Sequence, residues 1–155
     1  MGRFTAKVAI VSGAASGMGE MEARIIAEEG GKVVLTDVNA ELGEKVAADI
    51  GSSALFRRHD VADEGGWAEV VELARKNFGP PTVLINNGGV GAYGGIHEIE
   101  TDYMRRIMET NFMGSFFGMS CPLLSGPWAT IVWTKEGTTH AIEEAQARGD
   151  HREAA

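Results

Sequence analysis

The amino-acid sequence predicts an α/β protein in which a doubly wound parallel sheet lies between two layers of helices. Short apolar runs alternate with longer segments whose apolar residues recur at helical spacing, which is the rhythm of βαβ units. Glycine-containing turns separate these segments, and 155 residues suffice for one domain with a buried core. Because βαβ crossovers are right-handed, we expect the strand order 3-2-1-4, with one further candidate strand at the edge.

The first part of the chain supplies four strands and three helices. The first strand, Lys7–Val11, is an apolar run that stops before Ser12-Gly13, and the first helix, Met18–Glu29, stops at a glycine pair. A Gly-Pro-Pro sequence ends the third helix, which Asp63 is placed to cap. The remaining predicted elements are the strands Lys32–Thr36, Ala54–Arg58 and Thr82–Asn86 and the helices Ala40–Ile50 and Asp63–Phe78.

The last part of the chain changes character after one long helix. The predicted elements there are a glycine-rich loop at Gly88–Gly95, a helix from Thr101 to about Met119, a short strand at Ala129–Thr134 and a helix at Ala141–Arg148. Thr101 is expected to cap the long helix, and prolines and glycines interrupt the sequence beyond it. We therefore expect a domain over residues 1–119 and a divergent tail over residues 120–155.

The composition disfavours several classes of function. A net charge of −8 argues against nucleic acid and anionic membranes as partners, because both require a basic patch. No apolar run approaches the ~20 residues of a membrane span, and the opening residues do not resemble a signal sequence. Cys121 is the single cysteine, so no disulfide forms within the chain and a reducing compartment is expected. We expect a cytoplasmic protein without a metal site.

The turn between the first strand and the first helix is a candidate phosphate site. It has the sequence Ser-Gly-Ala-Ala-Ser-Gly-Met-Gly, in which Gly13 allows a tight exit from the strand and Gly17 lets the backbone approach a pyrophosphate. Gly19 lets the helix pack closely, and the helix N-terminus offers N–H groups and a partial positive charge. The alternative is an ordinary βα turn, because turns use glycine in any case.

Asp37 ends the second strand, where a carboxylate can accept hydrogen bonds from both ribose hydroxyls of an adenosine. The same carboxylate would repel a 2′-phosphate, and Ser16 in the glycine loop is not basic. Both points favour NAD over its phosphorylated form. The alternative is an exposed aspartate that opens a turn.

Polar residues also follow the third and fourth strands, in register with the glycine loop. They are His59-Asp60-Val61 and Asn86-Asn87-Gly88-Gly89, and Asn111 lies further on in the long helix. The order and spacing of these motifs, from Gly13 onward, resemble those of the short-chain dehydrogenase/reductase family over residues 5–119. Two departures are mild, since Ser12 replaces the family's Thr and Asn-Asn-Gly-Gly replaces Asn-Asn-Ala-Gly.

The resemblance implies a Rossmann-type NAD-binding domain and a set of residue roles. The residues that it places against the cofactor are Gly13, Ser16, Gly17, Met18, Gly19, Asp37, Asp60, Val61, Asn87, Gly88 and Gly89. It further implies that Asn86 braces the sheet. Asn111 matches the helix Asn of the family's catalytic tetrad, which holds a water in a proton relay. The family acts on small alcohols and ketones.

The rest of the tetrad, a Ser and a Tyr-x-x-x-Lys, is missing from this sequence. Its two tyrosines, Tyr93 and Tyr103, are followed four positions later by His97 and Ile107. Thr130–Trp133 is similar to the start of the family's fifth strand, but the expected Ser is not there. Relative to the family the predicted sheet is therefore incomplete.

Three hypotheses follow. The chain is a truncated or frame-altered dehydrogenase that is inactive alone, a standalone NAD-binding or interaction module, or an enzyme that uses unrecognised groups. The sequence does not name the alcohol or ketone substrate. The fourth strand, Val83–Ile85, has at best the candidate strand Ala129–Thr134 on its outer side, and the long helix after Thr101 loses its usual covering elements. We therefore also expect low solubility or a homo-oligomer.

Overall fold

The computed structural model of the protein describes residues 2–91, 95–121 and 130–133. The strands are Val8–Ser12 (β1), Lys32–Asp37 (β2), Ala54–Arg58 (β3), Val83–Asn86 (β4) and Thr130–Trp133 (β5). The helices are Gly17–Glu28 (α1), Ala40–Ile50 (α2), Glu64–Asn77 (α3), Thr101–Met108 (α4) and Gly114–Ser120 (α5). A 3₁₀ turn spans Ile96–Glu98, and a π-helical turn, Glu109–Met113, joins α4 to α5.

The five strands form one parallel sheet in the order β3-β2-β1-β4-β5. The predicted order 3-2-1-4 is therefore confirmed, and the candidate fifth strand pairs with β4, where Val83 lies opposite Thr130. The predicted start of β4 at Thr82 was one residue early. The Thr82 N–H donates to the Val8 carbonyl at 2.7 Å, and the Val8 N–H donates to the Thr82 hydroxyl at 3.1 Å, so a side chain joins the backbone bonding just before β4.

Two apolar cores lie on opposite faces of the sheet, because successive strand side chains point to opposite sides. One core contains Ala9 and Val11 of β1 with residues from α1 and α2. The other contains Val8 and Ile10 with residues from α3, among which Trp67 is 1% exposed. The result is the predicted three-layer arrangement, with helices on both faces of a parallel sheet.

The long helix predicted from Thr101 to about Met119 is present but is not uniform. It begins after Glu100, and the predicted cap was wrong: Thr101 is the first helical residue and Glu100 makes no side-chain cap bond. The helix widens into the π-helical turn around Asn111. There the Ser115 hydroxyl donates to the Asn111 carbonyl at 2.9 Å, a local bond that competes with the regular helical ladder.

Part of the predicted tail lies outside the described residues. This applies to the helix Ala141–Arg148 and to the remainder of residues 120–155 apart from 120, 121 and 130–133. Within the described part of the chain, no helix is long and apolar enough to cross a membrane.

Candidate functional site

The carboxyl ends of β1 and β4 are tied together by side-chain hydrogen bonds. The Asn87 amide donates to the carbonyls of Ser12, at 3.1 Å, and Gly13, at 3.0 Å. The Ser12 hydroxyl accepts from the Gly88 N–H at 3.0 Å and donates to the Ile85 carbonyl at 3.3 Å. These bonds hold the glycine loop against the loop after β4, so two of the predicted motifs form one surface.

Two glycines of the loop are required for different reasons. A Cβ atom on Gly19 would lie 2.4 Å from the Gly13 carbonyl oxygen and 2.5 Å from the Asn87 amide nitrogen. Any side chain at Gly19 would therefore push the helix away from the loop. Gly17 has a φ of +60° and nothing within 4 Å of the position of a Cβ atom. The backbone at Gly17 is thus open to a ligand, as the phosphate-site prediction requires.

The exposed residues beside Gly17 are Ser16 and Met18, both at the start of α1. Ser16 occupies the N-cap position of this helix, and its side chain makes no cap hydrogen bond. The first N–H groups of a helix have no partner within the helix, and its dipole favours an anion there. This end of α1 therefore suits a phosphate group.

The carboxylate of Asp37 is held in a fixed position at the end of β2. One oxygen accepts a hydrogen bond from the Ala15 N–H in the glycine loop at 3.0 Å. The other oxygen accepts from the Asn39 N–H at 2.9 Å. The sequence predicted a carboxylate near the loop, and the structure adds that it is bonded to the loop backbone and only partly buried.

The turn after β3 brings Asp60 and Val61 to the same edge of the sheet. The Asp60 carboxylate accepts from the Ala62 N–H at 3.0 Å, and Val61 is buried. Val61 also borders the loop after β4, since a Cβ atom on Gly88 would lie 3.1 Å from a Val61 methyl group. The indole N–H of Trp67 donates to the Val61 carbonyl at 3.1 Å, which fixes this turn on α3.

His59 lies in the loop after β3, as predicted, and the structure adds that it is 5% exposed and packs edge-on against Trp67, with ring centroids 4.8 Å apart. Burial lowers the pKa of His59 from its ordinary value of 6.5, the carbonyl of Asp63 opposes this shift, and the ring is neutral at pH 7. The burial depends on how closely α3 approaches the ring. A Cβ atom on Gly66 would lie 2.6 Å from the imidazole, which explains a glycine early in a helix.

Asn111 lies against the loop that follows β4 rather than facing solvent. Its side-chain oxygen accepts from the Val90 N–H and its amide donates to the Val90 carbonyl, both at 2.8 Å. The Tyr103 hydroxyl donates to the Gly91 carbonyl at 2.9 Å. Both side chains of the long helix therefore fasten the glycine-rich loop, a contact that the sequence did not predict.

Asn86 is buried at the end of β4, and neither polar atom of its side chain has a hydrogen-bond partner in the structure. Asn86 was expected to brace the sheet, but its side chain makes no hydrogen bond that would do so. The side chain lies under α5, where a Cβ atom on Gly118 would come within 2.8 Å of the Asn86 oxygen. Among the residues described, no three His, Cys, Asp or Glu side chains converge as a metal site would require.

The fold and these loops define a class of protein. Ligands of parallel α/β sheets bind at the carboxyl ends of the strands, where the strand order reverses. Here that point lies between β1 and β4, and it carries a glycine loop, a helix N-terminus and a fixed carboxylate. The arrangement is that of a Rossmann-type dinucleotide site.

The chain belongs to the short chain dehydrogenase family, whose family model matches residues 7–138. It is 38% identical over 118 residues to the NADP-dependent (R)-specific alcohol dehydrogenase of Lentilactobacillus kefiri, covering 75% of this chain and 47% of the relative. It is 34% identical over 116 residues to the 3-beta-hydroxysteroid dehydrogenase of Comamonas testosteroni, covering 75% of this chain and 46% of the relative.

A solved structure shares the fold as well as the sequence. The 3-ketoacyl-(acyl-carrier-protein) reductase of Brucella melitensis, in complex with NADH, superposes with a TM-score of 0.73 at 34% identity. The match covers 75% of this chain and 48% of that structure. The chain therefore spans about half the length of the curated relatives and of the solved structure that it matches.

Proposed function

We propose that this chain is the cofactor-binding half of a short-chain dehydrogenase and that its cofactor is NAD rather than NADP. The observation that carries the proposal is the Asp37 carboxylate, which ends β2 and accepts the Ala15 N–H of the glycine loop. NAD supplies the hydride chemistry when bound, and the protein supplies its position.

The residues present fit a dinucleotide. Gly17 leaves open space for a pyrophosphate at the start of α1, and the Asp37 carboxylate lies beside the same loop. By the family's pattern, Asp60 and Val61 would contact the adenine, while Asn87, Gly88 and Gly89 would line the ribose. Gly13 and Gly19 would shape the loop, and Ser16 and Met18 would flank the phosphates.

The choice between NAD and NADP rests on charge. A 2′-phosphate on the adenosine ribose would bring negative charge against the Asp37 carboxylate, and juxtaposed like charges disfavour binding. The groups that bond to the Asp37 carboxylate are the N–H groups of Ala15 and Asn39, which carry no charge, and Arg58 on β3 is the register partner of Asp37 in the sheet. The alcohol dehydrogenase of Lentilactobacillus kefiri is NADP-dependent, so relatives of this chain differ in cofactor and the preference for NAD needs a test on the chain itself.

The test is a calorimetric titration of the chain with NADH and with NADPH. We expect NADH to bind at least about tenfold more tightly, because like charges placed together cost several kcal/mol. Asp37→Ala should reduce the difference between the two affinities, because it weakens the binding of NADH and strengthens the binding of NADPH. Equal or tighter binding of NADPH to the unmodified chain would overturn the assignment.

A matched control is available on α2. Asp49→Ala removes the same charge at the far end of this helix, where Asp49 makes only a surface ion pair with Arg24 at 3.4 Å. Such pairs contribute little to stability. Asp49→Ala should therefore leave both affinities unchanged, which separates a local effect of Asp37 from a change in net charge.

The wider activity is proposed from the family. We infer that the substrate is a small alcohol or ketone, and that Asn111 is the catalytic-tetrad member present here. We assign the protein to the cytoplasm because its single cysteine fits a reducing compartment. A non-catalytic NAD-binding module is the alternative, favoured by the absence of Tyr-x-x-x-Lys from these 155 residues.

We also propose that the chain associates with itself through the long helix. Four side chains form an exposed apolar face, which we call the outer apolar face: Met108, Phe112, Phe116 and Met119. Their spacing of three or four residues places them on one side of the helix, and Phe112 is 60% exposed. Exposed apolar patches of this kind mark interaction surfaces.

A further inference from the structure

The imidazole of His59 occupies a buried position between the end of β3 and the first turn of α3. The backbone N–H of His59 donates to the Asp37 carbonyl at 3.0 Å, and the imidazole ring packs edge-on against the Trp67 ring. The ring also lies against Gly66, where no side chain would fit. His59 therefore contacts both the strand that carries Asp37 and the helix that holds the turn after β3.

The protonation state of this ring follows from its partners. Nε2 of His59 lies 3.3 Å from the Asp63 carbonyl oxygen, which can only accept, so Nε2 carries the hydrogen. Nδ1 is then an unprotonated acceptor, and it is buried without a hydrogen-bond partner. A second proton would create a buried donor at Nδ1 with no acceptor, which is unfavourable.

The ring closes a network around the turn that bears Asp60 and Val61. The Asp63 N–H donates to the Asp60 carbonyl at 2.9 Å, while the Asp63 carbonyl is the partner of His59. The Trp67 indole N–H holds the Val61 carbonyl. His59 thus supports both ends of the turn, one by a hydrogen bond and the other through the Trp67 ring.

Three charged groups act on His59 from the elements around it. The carboxylates of Asp60 and Asp63 favour a positive ring, and the Arg57 guanidinium on β3 disfavours it. Burial outweighs the two carboxylates and lowers the pKa of the imidazole. The ring is therefore neutral at neutral pH and takes up a proton only in acid, at the cost of its packed position.

We propose that His59 is a positioning residue whose neutral ring locks the Asp60–Val61 turn against Trp67, and that protonation of the ring loosens the adenosine end of the cofactor site. This inference rests on the proposed function for the binding step. The effect on the turn itself is independent of any cofactor.

The first test follows the turn without a ligand. The Trp67 indole N–H resonance, identified by its loss in Trp67→Phe, is recorded by NMR as the pH falls through the acid range. We expect it to shift, and its protection against exchange relative to a free indole at the same pH to fall, in the unmodified chain and in His97→Gln, whose histidine is exposed. In His59→Gln, an amide that does not titrate, the resonance should stay constant until global unfolding.

The second test measures NADH affinity over the same pH range. We expect the dissociation constant to rise by about threefold or more on acidification in the unmodified chain and in His97→Gln, because a proton competes with the bound state. In His59→Gln, the dissociation constant of NADH should not change over this pH range. A resonance and an affinity that respond to pH equally in the unmodified chain and in His59→Gln would overturn the proposal.

The two tests separate the two claims. If NADH fails to bind at every pH while the Trp67 resonance titrates as expected, the proposed function fails and the role of His59 in holding the turn stands. If NADH binds but the Trp67 resonance does not follow His59, the positioning role fails. Circular dichroism at each pH confirms that His59→Gln is folded.

Discussion

The helix α3 and the long helix from α4 to α5 flank one end of the same sheet, yet they differ in what they bury. Helix α3 places Trp67, Val70, Val71 and Ala74 in the core. Helix α4 buries no residue, and α5 buries only Gly114, Ser115 and Gly118. Four large apolar side chains of the long helix instead form the outer apolar face, while Phe117 packs against the core beside α3. The apolar side chains of α3 are thus buried within the domain, whereas the long helix exposes apolar side chains that a partner could cover.

The candidate site also has two ends that differ, one beside α3 and one beside the long helix. The end that we propose for the adenosine is built from the loops after β1, β2 and β3. It is fixed by a hydrogen bond from the Ala15 N–H to the Asp37 carboxylate and by another from the Trp67 indole to the Val61 carbonyl. Toward the long helix, the structure offers Asn111 and a loop fastened through Val90. We therefore propose that this end binds the adenosine half of NAD on its own and that catalysis needs groups other than Asn111.

The largest expected effect concerns turnover. We predict that the chain does not transfer hydride at a useful rate, since loss of a positioned general acid or base alone typically lowers the rate by about 10²–10⁴-fold. Asn111 cannot replace it, because an amide neither takes nor gives a proton near neutral pH. The assay incubates the chain with NAD and secondary alcohols and follows NADH absorbance. Turnover that survives repurification but disappears in Gly17→Asp would contradict the prediction.

The second effect concerns association through the outer apolar face. We predict that Phe112→Ser combined with Phe116→Ser weakens self-association by at least about tenfold, because burial of a Phe side chain contributes about 1.5–3 kcal/mol. Sedimentation over a range of concentrations measures the change. The control pair, Val38→Ser with Leu42→Ser, removes two exposed apolar residues elsewhere and should have no effect. A monodisperse monomer of the unmodified chain at high concentration would rule out the proposed role of this face.

The third effect separates backbone strain from ligand approach. Gly17 and Gly51 both have positive φ and open space at the Cβ position. We predict that Gly17→Ala and Gly51→Ala each destabilise the fold by about 1–3 kcal/mol, the range for such conformations. Only Gly17→Ala should also weaken NADH binding, because Gly17 lies at the phosphate site. Chemical unfolding measures the folding stability, and calorimetry measures the affinity for NADH. If Gly17→Ala and Gly51→Ala lose the same affinity, Gly17 acts through stability alone.

The smallest effect is the pH dependence of folding stability. The pKa of His59 is lowered in the folded state, so the unfolded chain binds more protons as the pH falls below 6.5. The free energy of unfolding should therefore be unaffected by His59 above that pH and should decline below it. Urea unfolding at several pH values should show a shallower decline in His59→Gln than in His97→Gln. A decline of equal slope in the two variants would contradict the assigned burial.

The strands and the site motifs were predictable because they depend on local features of the sequence, and the sheet order was predictable from the right-handed crossover rule. Short runs with strand composition, bounded by turn residues, predicted four strands to within one residue, and the positions of Gly17 and Asp37 after β1 and β2 placed a loop and a carboxylate at one edge. The family then follows from the order of the motifs.

The contacts across loops were not predictable in the same way. The burial of His59 depends on α3 approaching at Gly66, and the bonds from Asn111 depend on a π-helical turn that brings its amide to Val90. Thr101 resembled a cap because hydroxyl residues favour that position, but the chain enters the helix one residue earlier. Each of these outcomes is set by tertiary packing, which sequence spacing does not report.

The measurement that tests the central claim most directly compares NAD with its two halves. Calorimetry gives the affinities of the chain for NAD, ADP-ribose and nicotinamide mononucleotide under the same conditions. We predict that ADP-ribose binds within about threefold of NAD and that the mononucleotide does not bind measurably, because the adenosine end carries the binding. Binding of NAD more than about tenfold tighter than ADP-ribose, a difference of about 1.4 kcal/mol, would contradict this account.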